Sequence, residues 1–190
     1  MTKRFEKIDP TALLGQEPTG IDLEIGFGQS SFVVEHAQRN PSRLVIGVEV
    51  RKQAVAHVQD IATKSGAKNI LLVYGNGSLC LQDMFHDAAL DTIFIFHPDP
   101  WVKRRHHKRR LINPAFIELC LQKLKPGGKI HLSTDVQELW QEIEATLAGF
   151  NQALTPVNDD PFWATEYTTR WDDFSKRQQR KTFWATFRKR

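Results

Sequence analysis

The chain has 190 residues, of which 41% are hydrophobic and 25% are charged, and its net charge is +4. These values fit one folded domain and exclude a disordered chain, a collagen-like fibre and a disulfide scaffold. The two cysteines, Cys80 and Cys120, lack the spacing of a zinc site or a redox pair. The sequence shows neither a secretory signal nor an apolar run of roughly 20 residues. We therefore expect a soluble, cytoplasmic protein that does not enter a membrane.

Short apolar runs alternate with helical patterns along the chain. The predicted strands are Ile21–Ile25, Leu44–Val50, Ile70–Tyr74, Leu90–Phe96, Lys129–Ser133 and Thr182–Phe187. Apolar residues at helical spacing predict helices between most of these strands. The pattern indicates one α/β domain over residues 21–190 with an open parallel sheet. Residues 1–20 are predicted to form an N-terminal extension, and residues 151–165 a surface loop.

Basic residues are concentrated in two stretches of the sequence. Residues 103–110 read KRRHHKRR, and residues 170–190 carry eight Lys or Arg and two acids. A basic surface on an otherwise acidic chain favours a polyanionic partner. Because neither stretch has an amphipathic helical stripe, a nucleic acid is favoured over a membrane. A solvated loop and a basic tail are the alternative interpretation.

Glycine and polar residues follow the first three predicted strands, and ligands of such folds bind at the carboxyl ends of the strands. Gly26 and Gly28 form a turn after the first strand, and Glu49 ends the second. An acid about 20 residues after a glycine turn suits the two hydroxyls of a ribose. Asn76 follows the third strand, where an amide can contact adenine or simply form a turn.

Two aspartates follow the later strands. Asp99 lies between Pro98 and Pro100 and precedes Trp101, so the backbone around this carboxylate is stiff. Such rigidity is typical of a group that must be held close to a reacting centre. Asp135 follows the fifth strand, where it can face the same cleft or cap the next helix. No metal site is expected, because the histidines near this loop lie in or beside a cationic run.

These motifs together resemble the tRNA (guanine-N7-)-methyltransferases over roughly residues 20–190. The matching stretches are EIGFG at 24–28, IGVE at 46–49, PDPW at 98–101 with the basic run behind it, and STD at 133–135. The resemblance implies a Rossmann-like class I methyltransferase domain, with helices on both faces of the sheet and an antiparallel C-terminal strand. It also implies S-adenosylmethionine as cofactor and methylation of guanine N7 in the variable loop of tRNA.

The resemblance further assigns roles to individual residues. The cofactor-binding residues are Glu24, Gly26, Gly28, Glu49, Asn76 and Asp99, and Asp99 is also the catalytic position. The substrate-binding residues are Lys103, Asp135, Thr165 and Thr168. The basic residues expected to contact RNA phosphates are Arg104, Arg105, Lys108, Arg109 and Arg110. Asp135 is expected to accept hydrogen bonds from the Watson–Crick edge of guanine.

Four departures from the family pattern keep an alternative open. Residues 29–30 lack the usual glycine, Asn76 replaces aspartate, Thr168 replaces glutamate, and residues 175–181 lack a glycine. The alternative is a divergent, weakly active or non-catalytic tRNA-binding paralogue on the same scaffold. A nicotinamide-dependent oxidoreductase is a second alternative, disfavoured by the missing third glycine of the turn. The sequence leaves both a monomer and a homo-oligomer open.

Overall fold

The computed structural model describes residues 5–167 and 169–190 of the chain. Its seven strands are β1 (Ile21–Ile25), β2 (Leu44–Glu49), β3 (Ile70–Tyr74), β4 (Leu90–Phe96), β5 (Leu124–Thr134), β6 (Leu154–Val157) and β7 (Phe183–Lys189). They form one sheet in the order β3-β2-β1-β4-β5-β7-β6. Strands β1 to β5 run parallel, and β7 runs antiparallel to both β5 and β6. The predicted α/β fold with an antiparallel C-terminal strand is confirmed.

The helices are α1 (Pro10–Leu14), α2 (Phe32–Arg39), α3 (Lys52–Ser65), α4 (Gly77–Met84), α5 (Pro114–Lys123), α6 (Gln137–Ala148), α7 (Phe162–Thr165) and α8 (Arg170–Arg177). A 3-10 helix covers Arg104–Arg109. Helix α5 begins as predicted, because the Asn113 side chain accepts from the Phe116 N–H at 3.1 Å and proline occupies the first turn. Within the described residues, no helix combines the length and the apolar character that crossing a bilayer requires.

Helices cover both faces of the sheet. Consecutive residues of β2 point to opposite faces, so Ile46 belongs to the core cluster that includes residues of α4, α5 and α6, while Val45 belongs to the cluster with α2 and α3. A separate aromatic cluster joins Phe32 of α2 to Phe94 of β4 and Phe162 of α7. This two-sided burial fixes the register of the strands and brings their carboxyl ends to one edge of the sheet.

Several segments differ from the sequence-based expectation. Strand β5 begins at Leu124, upstream of the predicted Lys129, and its pairing with β4 is irregular near Leu90. Strand β6 lies inside the predicted surface loop and contains Pro156. A proline is compatible with this strand because β6 is at the edge of the sheet. Helices α1, α4, α7 and α8 are not among the predicted elements.

The described part of the N-terminal extension packs against the domain. Phe5, Ile8 and Leu14 contact the core, and the Ile8 N–H donates to the Met84 carbonyl at 2.9 Å. The division of the chain at residue 20 therefore stays a prediction from sequence.

Candidate active site

A cleft of about 620 Å³ opens at the carboxyl ends of β1, β4 and β5. The predicted site residues that line it are Glu24, Gly26, Gly28, Asp99 and Asp135. Helix α8 contributes a further part of the wall through Arg170, Trp171 and Phe174. The structure thus brings the ends of three strands and one unpredicted helix to the same space.

The glycine turn after β1 has a backbone that other residues rarely adopt. Gly26 and Gly28 have φ angles of 82° and 58°, in the left-handed region. The Gly26 N–H donates to the Val48 carbonyl at 2.7 Å, which ties the turn to β2. A Cβ on Gly28 would lie 3.1 Å from the Arg51 guanidinium. The turn therefore needs glycine for its conformation and for the close approach of Arg51.

Glu49 at the end of β2 is bonded to this glycine turn. Its Oε2 accepts from the Gly28 N–H at 2.8 Å, and its Oε1 accepts from the Arg51 backbone at 2.9 Å and Nε at 3.2 Å. The carboxylate is buried, while the Arg51 side chain is largely exposed and lines the cleft. Sequence reasoning missed Arg51, which follows the predicted acid by two residues.

Glu24 on β1 is a buried carboxyl beside Glu49. Its residue exposure is 2%, and its Oε2 has no hydrogen-bond partner among the described residues. Burial, followed by the charge of Glu49, raises the pKa of Glu24 to about 8. A buried carboxyl with a free oxygen can pair with a cationic group that enters the cleft.

The loop after β4 holds Asp99 between two strained positions. His97 and Trp101 have φ angles of 45° and 43°, which cost about 1–2 kcal/mol each in non-glycine residues. Pro98 and Pro100 restrict the backbone between them. Asp99 itself is exposed and lines the cleft. The loop therefore presents this carboxylate on a backbone with little freedom.

Asp135 at the end of β5 faces the cleft, and its side chain is 2% exposed. Its carboxylate accepts from Trp171 Nε1 at 3.1 Å, Ser175 Oγ at 2.8 Å and an Arg180 guanidinium nitrogen at 3.1 Å. Burial alone would raise the pKa of Asp135, but these donors and the nearby His97 lower it overall. Helix α6 begins at Gln137 and its N-cap residue is Val136, which makes no side-chain capping bond, so Asp135 is not its cap.

Helix α8 crosses the cleft and contacts both sides of it. An Arg170 guanidinium nitrogen donates to Gln29 Oε1 in the glycine turn at 2.7 Å, while Trp171 bonds Asp135. The Thr169 side chain caps the helix by accepting from the Asp172 N–H at 2.9 Å. The Thr-x-x-Asp spacing is a capping signal that could have located α8 in the sequence.

Of the two predicted substrate residues of this segment, only Thr165 is among the described residues. Thr165 is exposed on α7 and is not among the residues that line the cleft, and Thr168 lies outside the described residues. The cleft instead takes Thr169, Arg170 and Trp171 from this part of the chain.

His97 is a further residue of the cleft that the sequence-based site did not include. Its side chain is 6% exposed, and its Nε2 lies 2.9 Å from Tyr167 Oη. Tyr167 Oη also lies 2.9 Å from Ser133 Oγ. On the other side of the ring, His97 Nδ1 lies 3.6 Å from Asp135 Oδ1. Burial lowers the pKa of His97 despite the two aspartates near it.

Most of the basic run is exposed beside the cleft. The outward residues are Lys103, Arg104, Arg105, Lys108 and Arg109. The Arg109 guanidinium lies 5.0 Å from the centre of the Trp101 ring, in a cation–π contact. The 3-10 helix thus displays a cluster of cations next to the Asp99 loop.

Arg110 departs from the prediction, because the structure buries it at 5% exposure. Its Nε donates to the Pro100 carbonyl at 2.7 Å, and its other nitrogens pair with Glu138 and Glu142 of α6. These contacts leave the guanidinium facing inward, away from any bound phosphate. We therefore remove Arg110 from the RNA-contacting set and assign it to supporting the Asp99 loop.

Asn76 occupies the cap of α4. Its Oδ1 accepts from the Leu79 N–H at 3.1 Å, and the residue is exposed but is not among those that line the cleft. This contact is the one expected if Asn76 forms a turn, the alternative to a contact with adenine.

The chain is similar in fold to solved methyltransferases. The 16S rRNA methyltransferase KamB matches with a TM-score of 0.68 and 15% identity, over 99% of this chain and 96% of that one. The Streptococcus mutans protein SMU.1697c, solved in complex with SAH, matches with a TM-score of 0.59 and 14% identity over the whole of both chains. These likenesses confirm the class I methyltransferase fold.

Curated relatives are more similar in sequence. The tRNA (guanine-N(7)-)-methyltransferase of Nitrosococcus oceani is 43% identical over 133 residues, which are 68% of this chain and 56% of the relative. That of Cronobacter sakazakii is 36% identical over 159 residues, 82% of this chain and 66% of the relative. The alignments thus span between half and two thirds of these relatives' lengths. The model of the family described as "Putative methyltransferase" matches residues 19–183, most of the sequence. The chain therefore belongs to this methyltransferase family.

Proposed function

We propose that the protein methylates N7 of a guanine in the variable loop of tRNA, with S-adenosylmethionine as the methyl donor. The observation that carries the proposal is a cleft lined by Glu24 and Asp99, beside a cluster of exposed cations, with Glu49 bonded to the glycine turn in its wall. The names of the curated relatives support the same reaction.

The cleft suits the chemical groups of this cofactor. When bound, S-adenosylmethionine supplies an electrophilic methyl group on a positively charged sulfur. Glu49 lies at the position where a carboxylate accepts from ribose hydroxyls, and the glycine turn permits a close backbone approach. Glu24 offers a buried carboxyl with a free oxygen to the ammonium group. The SAH complex of SMU.1697c, which shares the fold, supports this choice of cofactor.

The substrate side of the cleft suits a guanine. N7 carries a lone pair in the plane of the base, so it needs positioning and no removal of a proton. Methylation makes the base cationic, and a carboxylate held rigidly by its loop can stabilise that charge. We assign this role to Asp99. Asp135 is proposed to accept from the Watson–Crick edge, and Lys103 to hold the RNA backbone.

The exposed basic run is the proposed RNA surface, and the cytoplasm is the compartment in which we expect it to meet tRNA. Each neutralised phosphate releases counterions, so affinity should fall steeply with salt. Replacing Arg104, Lys108 and Arg109 together should flatten the slope of log affinity against log salt by about two to three units. The charge-matched control replaces Lys52, Lys64 and Lys68, which are exposed on or after α3. An equal change of slope in both variants would contradict the proposed surface.

The decisive experiment is methyl transfer to total tRNA that lacks the modification, followed by identification of the methylated nucleoside. We expect 7-methylguanosine at a variable-loop position. Binding of tRNA and S-adenosylhomocysteine without transfer would instead favour the non-catalytic paralogue. Binding of a nicotinamide dinucleotide in place of S-adenosylhomocysteine would favour the oxidoreductase.

A further inference from the structure

His97 and Asp135 place polar atoms side by side in the cleft. Nδ1 of His97 lies 3.6 Å from Oδ1 of Asp135, which is longer than a hydrogen bond. Both side chains are more than nine-tenths buried, and this Nδ1 has no hydrogen-bond partner among the described residues. A buried polar nitrogen without a partner is costly, so it is a candidate for contact with a ligand.

The surroundings of the ring indicate which nitrogen carries the proton. Two hydroxyls, from Ser133 and Thr169, bond the Tyr167 side chain, which also lies 2.9 Å from His97 Nε2. A phenol oxygen accepts two hydrogen bonds and donates one. Where both hydroxyls donate, the phenol proton goes to Nε2, and the proton of a neutral imidazole is then on Nδ1. The carboxylate of Asp135 favours the same tautomer, because it faces Nδ1.

The Nδ1–H of His97 is thus one hydrogen-bond donor beside the two acceptor oxygens of Asp135. The Watson–Crick edge of guanine carries the complementary set, with an acceptor at O6 and donors at N1 and N2. Adenine instead carries a donor at N6 and an acceptor at N1. The pair His97 and Asp135 therefore matches guanine and opposes adenine along the same edge.

We propose that His97 is a specificity-determining residue, whose Nδ1–H donates to O6 of the target guanine while Asp135 accepts from N1 and N2. The inference rests on the proposed function and names the group that selects the base. It also accounts for the buried, strained position of His97 directly before the Asp99 loop.

The structure shows the contact that the base replaces. The indole N–H of Trp171 donates to Asp135 Oδ1, in the manner that N1–H of guanine would. The Trp171 side chain is half exposed, so it can leave this position without opening the core. Entry of the base exchanges one N–H donor for another at the same oxygen.

The test pairs variants of His97 with a modified base. RNA hairpins carry guanine or 2-aminopurine at the target position; 2-aminopurine keeps N7 and the 2-amino group but lacks both O6 and the proton on N1, so the proposed His97 contact cannot form with it in any variant. His97→Ala removes the donor, and His97→Asn keeps an N–H donor near the Nδ1 position. Both replacements are compatible with the φ of 45° at position 97. Asparagine tolerates positive φ, and alanine already adopts a φ of 52° at Ala88. Unfolding and S-adenosylhomocysteine affinity serve as controls for the fold.

For guanine, His97→Ala should lower kcat/KM and hairpin affinity by about 10- to 100-fold, the scale of discrimination by a lost buried hydrogen bond. For 2-aminopurine the same variant should change hairpin affinity less than threefold, and His97→Asn should restore the preference for guanine. If His97→Ala lost hairpin affinity equally for guanine and 2-aminopurine while the wild type still methylated guanine, the role of His97 would be overturned and the proposed function would stand. Absence of wild-type transfer to any guanine would overturn the proposed function and this inference with it.

Discussion

Glu24 and Asp135 lie at the ends of β1 and β5, on either side of β4 in the sheet, and the pKa values of their carboxyl groups are shifted in opposite directions. The pKa of Glu24 is raised to about 8, whereas the pKa of Asp135 is lowered. The difference comes from their partners: Asp135 accepts from three donors of the α8 segment, and an oxygen of Glu24 has no partner among the described residues. Burial prevails at Glu24, whereas the donors outweigh it at Asp135. Glu24 can therefore pair directly with a cation that enters the cleft, while Asp135 must give up a present donor before it accepts from a ligand.

The largest effect is expected at Asp99, in the loop that follows β4. Asp99→Asn keeps the size of the side chain and removes the charge proposed to stabilise the methylated base. Single-turnover methylation at saturating cofactor and tRNA should slow by about 100-fold or more, while both affinities change much less. Lys103→Ala is the control, since it should weaken tRNA binding more than the saturated rate. A wild-type saturated rate for Asp99→Asn would remove the catalytic role.

A second variant, Glu24→Gln, tests the raised pKa on the cofactor side. The pKa of Glu24 is about 8 in the folded chain, against the ordinary 4.5. Between these two pH values the carboxyl is protonated in the folded chain and ionised in the unfolded one. The free energy of unfolding therefore falls as the pH rises from 4.5 to 8. Glutamine has no such proton. The variant should therefore exceed wild type by roughly 2–4 kcal/mol in unfolding free energy at pH 9 and match it near pH 4. Urea unfolding of both proteins at pH 4 and at pH 9 checks this difference. A stability difference that does not change with pH would contradict the raised pKa of Glu24.

Glu49→Ala should weaken S-adenosylhomocysteine binding by roughly 1–3 kcal/mol, the range for hydrogen bonds to a charged group and their desolvation. The loss includes the contacts that hold the Gly28 turn and Arg51. Calorimetric titration measures the change. Asp60→Ala is the matched control, because Asp60 is exposed on α3 and pairs with Lys64. Unchanged affinity in Glu49→Ala would place the cofactor elsewhere.

The smallest effect is expected on the substrate side. Trp171→Phe keeps an aromatic ring and removes one donor to Asp135, so the unfolding free energy should drop by about 0.5–1.5 kcal/mol. Hairpin affinity should hold or rise, since the base then displaces one contact fewer. Trp184→Phe, an exposed tryptophan of β7, is the control. A large loss of hairpin affinity in Trp171→Phe would indicate that the indole N–H itself serves the substrate.

Local patterns in the sequence predicted the parallel strands but not the partners of polar side chains. Strands β1, β3 and β4 have their predicted bounds, because each is a short apolar run. Strand β6 escaped prediction since it has four residues and a proline. Helix α4 escaped because its sequence, GSLCLQDM, begins with glycine and has little polar–apolar periodicity.

For the site, the strand ends predicted Glu24, Asp99 and Asp135 at the cleft, yet the sequence could not separate Arg110 from the other cations of its run. That separation depends on Glu138 and Glu142 of α6, which lie beyond α5 and β5 in the chain. The role of His97 depends likewise on Tyr167, which is 70 residues away. Contacts between distant residues decide which polar groups face the cleft, and a short motif does not contain them.

The position of β7 has a consequence for how the chain folds as it is synthesised. β7 lies between β5 and β6, so β6 pairs with no other strand in the described sheet. Strands β1 to β4 can pair while the later residues are still being translated, because their partners precede them. The edge of β5 and the whole of β6 wait for residues 183–189 to leave the ribosome. The nascent chain thus assembles β1 to β4 first and exposes an unpaired edge of β5 until β7 is available.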